Sequence, residues 1–226
     1  MPLRNYKEED YETLCAFLIG LNQQNGMHIN WNWARWEWMY EHPEFDKSLT
    51  ESIGLWEDGG RIVGAAIYDM YFGEGFCGAL PGYESLYPDI LAYAYKELRD
   101  ENGFGFAVCD DDEALIETAE KAGFVKTEQS ENILRMPLDH DYSSVLPEGY
   151  AFAELDPVKE LYDFQWLLWQ GFDHGDDRAE FERENDFPQI PYFRVHFNPF
   201  LSVAAVDRAG EKGSYCCLWY DEKTDY

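Results

Sequence analysis

Basic residues are scarce in this chain. Lysine and arginine number 17 against 45 aspartates and glutamates, giving a formal net charge of −28. Neutralising a phosphate backbone takes clustered Lys and Arg, so no nucleic-acid partner is expected. Long apolar runs are missing too. Leu14–Leu21 (LCAFLIGL) is the longest, well under the ~18 residues of a membrane span. The opening MPLRNYKEED holds no apolar stretch of signal-peptide type. A cytoplasmic protein with no membrane partner is the expectation. Cys15, Cys77, Cys109, Cys216 and Cys217 show no C-x-x-C spacing, and His28, His42, His140, His174 and His196 no H-x-H or H-x-x-x-H pairing. No metal site is expected, and the thiols read as buried and free, as suits a reducing compartment.

What is present describes a folded acidic protein. Hydrophobic residues make up 46% of 226 residues, too many for a disordered acidic tail. The acidity is spread along the chain, with 26 acidic and 10 basic residues up to Leu138 and 19 and 7 after it. Such a field draws cationic ligands and repels anionic ones.

Hydrophobic spacing predicts a strand at Leu3–Lys7 and a helix capped by Asp10 running to Gln24, with Leu14, Phe17, Leu18 and Leu21 on one face. A Trp-rich segment, Asn30–Tyr40, follows. Ser52–Glu57 and Arg61–Met70 read as a hairpin around Asp58-Gly59-Gly60. A Gly73–Gly75 turn leads to a strand at Gly75–Leu80. Pro88 opens a helix to Arg99, Phe104–Cys109 is a strand, and Asp111–Ala122 is a helix closed by Gly123. Val125–Pro137 is expected to form a final hairpin. The fold class is α/β (α+β), a mixed central sheet flanked by helices.

Pro147-Glu148-Gly149 marks a second start. A strand at Tyr150–Leu155, helices at about Asp156–Gln170 and Asp176–Asp186, and strands at Leu201–Asp207 and Ser214–Asp221 are expected. The Ile53–Asp69 hairpin aligns with Val203–Asp221, both apolar strand, turn, apolar strand, then Tyr-Asp. Matching elements lie 147 to 152 residues apart, which reads as an internal repeat. Domains of 1–138 and 147–226 follow, the first complete and the second the N-terminal half of a copy that would run to about residue 290. The strand ending Tyr215-Cys-Cys-Leu-Trp-Tyr220 would offer an open apolar edge, which a homodimer could cover.

This element order, together with Glu120-Lys121-Ala122-Gly123-Phe124 at the end of the late helix, resembles the GNAT superfamily of acetyl-CoA-dependent N-acetyltransferases in a tandem-domain arrangement. The resemblance implies acetyl transfer from acetyl-CoA to an amine. It also implies a backbone N–H on the fourth strand for the oxyanion, a tyrosine on the late helix for the leaving thiolate, and a Gln/Arg-x-x-Gly-x-Gly/Ala pyrophosphate loop at a helix N-terminus. The first copy departs twice. Ala119 stands at the tyrosine position, and Leu80–Pro88 (LPGYESLYP) lacks the glycine pattern and contains Pro81 and Pro88. Neither copy holds a complete acetyl-CoA site, and no cofactor-binding or catalytic residue is assigned.

Substrate-contact candidates come from aromatic and acidic clusters. At ~100° per residue, Trp31 and Trp38 share one helical face and Trp33 and Trp36 the other; the second pair would hold a cation by cation–π contact or pack the core. In the second half Trp166 and Trp169 are helical neighbours. Asp173, His174, Asp176 and Asp177 gather where an amine would enter, or else form a helix end and a solvated acidic loop. Gly73-Glu-Gly-Phe-Cys-Gly78 is a literal G-x-G-x-x-G, but its candidate ribose acid, Asp110, lies 37 residues on rather than ~20, Pro81 interrupts the helix that should follow, and the run reads as a glycine-rich hairpin. The leading expectation is an N-acetyltransferase acting on a small cationic amine. The alternative is a non-catalytic ligand-binding or dimerisation module.

Overall fold

The computed structural model describes residues 1–25, 31–42, 45–132, 134, 139–141, 143–156, 159–184 and 197–219, without the side chains of 23–25, 197–200 and 219. The chain packs as two units, Met1–Arg135 and Met136–Tyr226.

In unit one, β1 (Leu3–Asn5) leads through a 3-10 turn into α1 (Tyr11–Asn25) and α2 (Trp33–Glu41). β2 (Gly54–Asp58), β3 (Arg61–Asp69), β4 (Tyr71–Ala79), α3 (Tyr87–Glu97), β5 (Gly105–Phe106) and α4 (Glu113–Lys121) follow. The sheet runs β1-β2-β3-β4-β5, antiparallel except for β5, which joins β4 in parallel at Glu74 and Gly105. β3 is buried from Ile62 to Tyr68 without alternation, which requires cover on both faces. α1 and α3 both pack on it. The α1 stripe of Leu14, Phe17, Leu18 and Leu21 is buried. Tyr93 of α3 meets Trp56 edge-on with ring centroids 5.6 Å apart.

Asp10 does not cap α1 as expected. It ends the 3-10 turn Glu8–Asp10, and its carboxylate reaches back to accept the Lys7 N–H at 2.8 Å. Arg4 holds both its oxygens, at 2.6 and 2.8 Å, and also Glu57 at 2.7 Å. The Arg4 hydrogen bonds, followed by that from Lys7, keep the Asp10 carboxyl below its ordinary range. A depressed carboxyl pKa adds stability above the unfolded value near 4, lost as pH falls through the folded value. Arg4→Met is therefore expected to cost about 1–2 kcal/mol at pH 7 and to flatten the loss of stability below about pH 4. Urea midpoints of the two proteins across that range check it.

Three further expectations are corrected in unit one. The turn before β4 is at Met70, which takes the left-handed conformation at φ 60°, so β4 includes Gly73 and Gly75, with a register shift between Tyr71 and Gly75 where Gly73 takes φ 107°. Gly75 is needed there because a Cβ would lie 2.1 Å from the Ile67 carbonyl oxygen of β3. The strand after α3 shrinks to Gly105–Phe106. No strand forms among the described residues from Val125 to Leu134. Thr127–Asn132 offers no apolar alternation to bury, and Val125 is 84% exposed; residues 133 and 135–137 of the expected hairpin lie outside the described ones.

Unit two runs β6 (Ala151–Glu154), α5 (Leu161–Gly171), α6 (Arg178–Glu184), β7 (Phe197–Val206) and β8 (Lys212–Trp219). α5 starts later than expected, and residues 157–158, 185–186 and 220–221 of the expected elements are outside the described ones. The sheet is β6-β7-β8, antiparallel throughout. Leu155, Phe164 and Ala204 form its core, flanked by Leu161, Leu168, Val206, Tyr215 and Cys217. Lys212 ties β8 to α5 through Glu160 at 2.9 Å and Asp163 at 2.7 Å. The opposite sheet face leaves Phe152, Val203 and Leu218 exposed, and β8 is an edge strand among the described residues. All five cysteines are free thiols; Cys15 and Cys77 are buried, but Cys216 is exposed, because it points to that bare face.

Candidate functional site

In unit one, two cavities lie at opposite ends of β4. One, of about 610 Å³, is at its start beside Phe72, Glu74 and Asp100. The other, of about 270 Å³, is at its end, between the β4–α3 loop and the start of α4, lined by Pro81, Glu84, Tyr87, Asp111, Asp112 and Glu113. The second is where the resemblance would place the pyrophosphate of acetyl-CoA. Its residues do not fit that group. Prolines 81 and 88 have no N–H to offer. The N–H groups of Tyr83 and Leu86 already donate to Leu80 and Tyr83 carbonyls, at 3.0 and 2.9 Å. That of Tyr87 donates to the Glu84 carbonyl. The Gly82 N–H donates to the Glu84 carboxylate at 2.8 Å.

The end of α4 is built as its sequence predicts. Gly123 takes φ +94°, the Phe124 N–H returns to the Ala119 carbonyl and the Gly123 N–H to that of Glu120, both at 3.0 Å. These are the two bonds of a Schellman motif. Phe124 lies edge-on to Phe106 at 5.2 Å. Ala119 is buried, and its methyl group has no proton to give.

Trp33 and Trp36 are core residues, 1% and 0% exposed. Trp36 packs against Tyr6, Tyr11, Trp31, Tyr40 and Phe45, with ring centroids 5.2 to 6.5 Å away. No ring face of that pair is open to a substrate in this structure. The expected pairing of Trp31 with Trp38 on one helical face fails, because α2 begins at Trp33 with Asn32 as its N-cap. Trp31 stacks instead on Phe76 of β4 at 5.7 Å, and only Trp38 is exposed.

In unit two, the candidates gather at the α5–α6 turn. α5 closes with a second Schellman pair, His174 N–H to the Trp169 carbonyl and Asp173 N–H to that of Gln170, both at 3.1 Å. Asp173 supplies the left-handed residue at φ 62°, a position glycine takes more cheaply. Asp173→Gly is thus expected to raise stability by about 0.5–1 kcal/mol, read as a higher urea midpoint. The turn folds the His174 ring onto Trp169, with centroids 4.7 Å apart and an interplanar angle of 31°. Asp176 accepts a hydrogen bond from the Gln170 side chain at 2.7 Å. Asp177 caps α6 by accepting the Ala179 N–H at 2.9 Å, so its carboxylate is occupied structurally.

Trp166 and Trp169 separate in role. Trp166 is 8% exposed, with Phe181 5.1 Å from its ring and the Arg178 guanidinium at 4.9 Å. Its cation–π position is already filled by the protein's own Arg178, which the sequence reading passed over inside an acidic stretch. Trp169 is half-buried and carries His174. The structure therefore brings together Trp169, Asp173, His174 and Asp176. It leaves Trp33, Trp36 and Trp166 inside packing.

Among the described residues no group of three His, Cys, Asp or Glu is placed to hold a metal ion, and no helix is long and apolar enough to cross a membrane. The fold class is a mixed α+β arrangement, with a five-stranded mixed sheet flanked by helices and a second sheet beside it in the chain. No protein-family model and no curated protein matches the sequence. Solved structures do. A protein described as a probable acetyltransferase is similar at 12% identity and a TM-score of 0.40, over 62% of this chain and 100% of its own. A point mutant of the TTHA1254 protein from Thermus thermophilus is similar at 14% identity and a TM-score of 0.35, over 61% of this chain and 98% of its own.

Proposed function

We propose that the chain is a tandem protein of the N-acetyltransferase type that transfers acetyl from acetyl-CoA to a small cationic amine. In this reading unit one is a non-catalytic scaffold and unit two carries the acceptor wall. One observation carries it: both units open strand, helix, helix, strand, strand, and pair those strands in the same antiparallel order. Duplication of one module accounts for that order. The Glu120–Phe124 helix ending links the module to acetyl transfer by resemblance.

The chemistry required of the acceptor side is modest. An alkyl ammonium must lose a proton before its nitrogen attacks the thioester carbonyl; the new C–N bond forms, the C–S bond breaks, and the thiolate leaves and is protonated. At the α5–α6 turn, Asp173 and Asp176 attract the ammonium, the Trp169 ring supports its charge, and His174 takes the proton. The chain's negative field raises the local amine concentration within ~8 Å of the surface at physiological salt. Because neither unit holds a complete acetyl-CoA site, thiol release from acetyl-CoA with at least one member of a polyamine and aminoglycoside panel is expected when unit two is assayed together with the second half of an acetyltransferase module. No turnover across the panel would remove the enzyme reading.

A second reading, a non-catalytic cation-binding or dimerisation module, is favoured by Ala119 and by the β4–α3 loop, where the N–H groups of Gly82, Tyr83, Leu86 and Tyr87 are already used. Calorimetric binding of a polyamine without binding of acetyl-CoA would select it. A dimeric solution mass would support pairing through the β8 edge.

A further inference from the structure

We propose that Glu84 is the chain's own anion in the β4–α3 loop, and that it makes unit one reject coenzyme A rather than bind it weakly. The inference rests on the acetyltransferase reading only for the position of the loop. A loop that binds pyrophosphate presents several free backbone N–H groups toward the ligand, in a field that favours negative charge. Here four of the loop's N–H groups are already taken and the field is negative. The glycine N–H best suited to an approaching phosphate, that of Gly82, is held at 2.8 Å by the Glu84 carboxylate. Tyr83, Leu86 and Tyr87 spend theirs on backbone carbonyls, and the two prolines bring none.

The far wall of the same cavity adds charge of the same sign. Asp111, Asp112 and Glu113 line it together with Glu84, where the α4 N-terminus would otherwise attract an anion. Asp112 spends one oxygen on the Leu115 N–H at 3.0 Å, and the other accepts from Tyr87 Oη at 3.1 Å. Tyr87 and Asp112 thus join the two walls of the cavity directly. Tyr83 fastens the loop from the other side, donating its hydroxyl to Asp58 at 2.8 Å. The loop is thus tied on both sides, with the surface carboxylate of Glu84 held on the Gly82 N–H. A dianionic pyrophosphate would have to displace Glu84 and sit against three further carboxylates.

The test is hydrogen exchange of the whole chain, followed by mass spectrometry on the peptide covering residues 80–91, with and without millimolar inorganic pyrophosphate. The wild-type peptide is expected to exchange at the same rate in both. In a Glu84→Ala, Asp111→Asn, Glu113→Gln variant, all exposed positions, pyrophosphate is expected to slow exchange, with binding at least about tenfold tighter than to wild type. The single variant Glu84→Ala, which keeps the far wall intact, is expected to show a smaller gain in the same direction. Protection of the wild-type loop by pyrophosphate would overturn the proposal, and so would a folded Glu84→Ala variant that behaves as wild type. Acetyl transfer by the protein, or its absence, does not move this readout, so the two proposals fail separately.

Discussion

Replacing Trp36 by alanine is expected to cost unit one about 3–5 kcal/mol, the range for removing a large aromatic from a packed interior. Trp36 is 0% exposed, and its ring is the hub of a cluster drawn from the residue after β1, from α1 and α2, and from the segments before α2 and β2. Truncation removes five ring contacts together and leaves a cavity that Tyr6, Tyr11 and Tyr40 cannot collapse into without leaving their own positions. A domain of this size has about 5–15 kcal/mol in total, so the change consumes a large share. Thermal melts followed by far-UV circular dichroism should show an early transition covering part of the amplitude, with unit two melting as before. A loss below about 1 kcal/mol accompanied by weaker amine binding would return Trp36 to the substrate site.

The second large effect is kinetic. With the second half of an acetyltransferase module supplied to unit two, His174→Ala is expected to lower kcat/KM for the acceptor amine by about a hundredfold or more, the usual weight of a proton-transfer group. Stability should move by less than about 1 kcal/mol, because the imidazole is exposed and its backbone N–H, not its ring, closes the helix. The loss should fall on kcat. Trp169→Ala, by contrast, removes the ring that supports the cation and should act chiefly by raising KM. Equal effects of both variants on KM alone would make the α5–α6 turn a binding surface with no part in proton transfer. Unchanged kinetics in both would move the acceptor site elsewhere.

The two experiments separate aromatic clusters that look alike in sequence. Both contain paired tryptophans at helical spacing, and spacing says only that the rings share a face. Whether that face meets a sheet or solvent depends on strands far away in the chain. For Trp36 the answer comes from Tyr6, Tyr11, Trp31, Tyr40 and Phe45, and the Trp33 and Trp36 rings are both enclosed. For Trp166 it comes from Arg178 and Phe181, which both lie against the indole. Trp169 also meets Phe181, at 5.7 Å, but stays half-buried, and the left-handed Asp173 turns the chain back and sets His174 on it.

Local signals were read well where one element decides the outcome. The Asp58-Gly59-Gly60 hairpin, the Pro88 helix start and the Gly123 helix end all form at the expected places, since turn and cap geometry is set by a few adjacent residues. The Gly73–Gly75 turn was misread for the opposite reason. Those glycines serve close approach to β3 and room for Asp100, which lies 2.8 Å from where a Gly73 Cβ would be; the reversal falls to Met70, a residue with no turn propensity. Asp10 was misread likewise, because its partner Arg4 sits on a strand whose placement local pattern cannot supply.

Element kind and order and the acidic field are written in composition and periodicity, which depend on near neighbours and on sums over the chain. Which carboxylate meets which donor is not. Glu84 on Gly82, Asp10 on Arg4 and Lys212 between Glu160 and Asp163 are decided by how the packed backbone aims each side chain, and hydrogen bonds act only within about 3 Å. Only folding fixes distances that short.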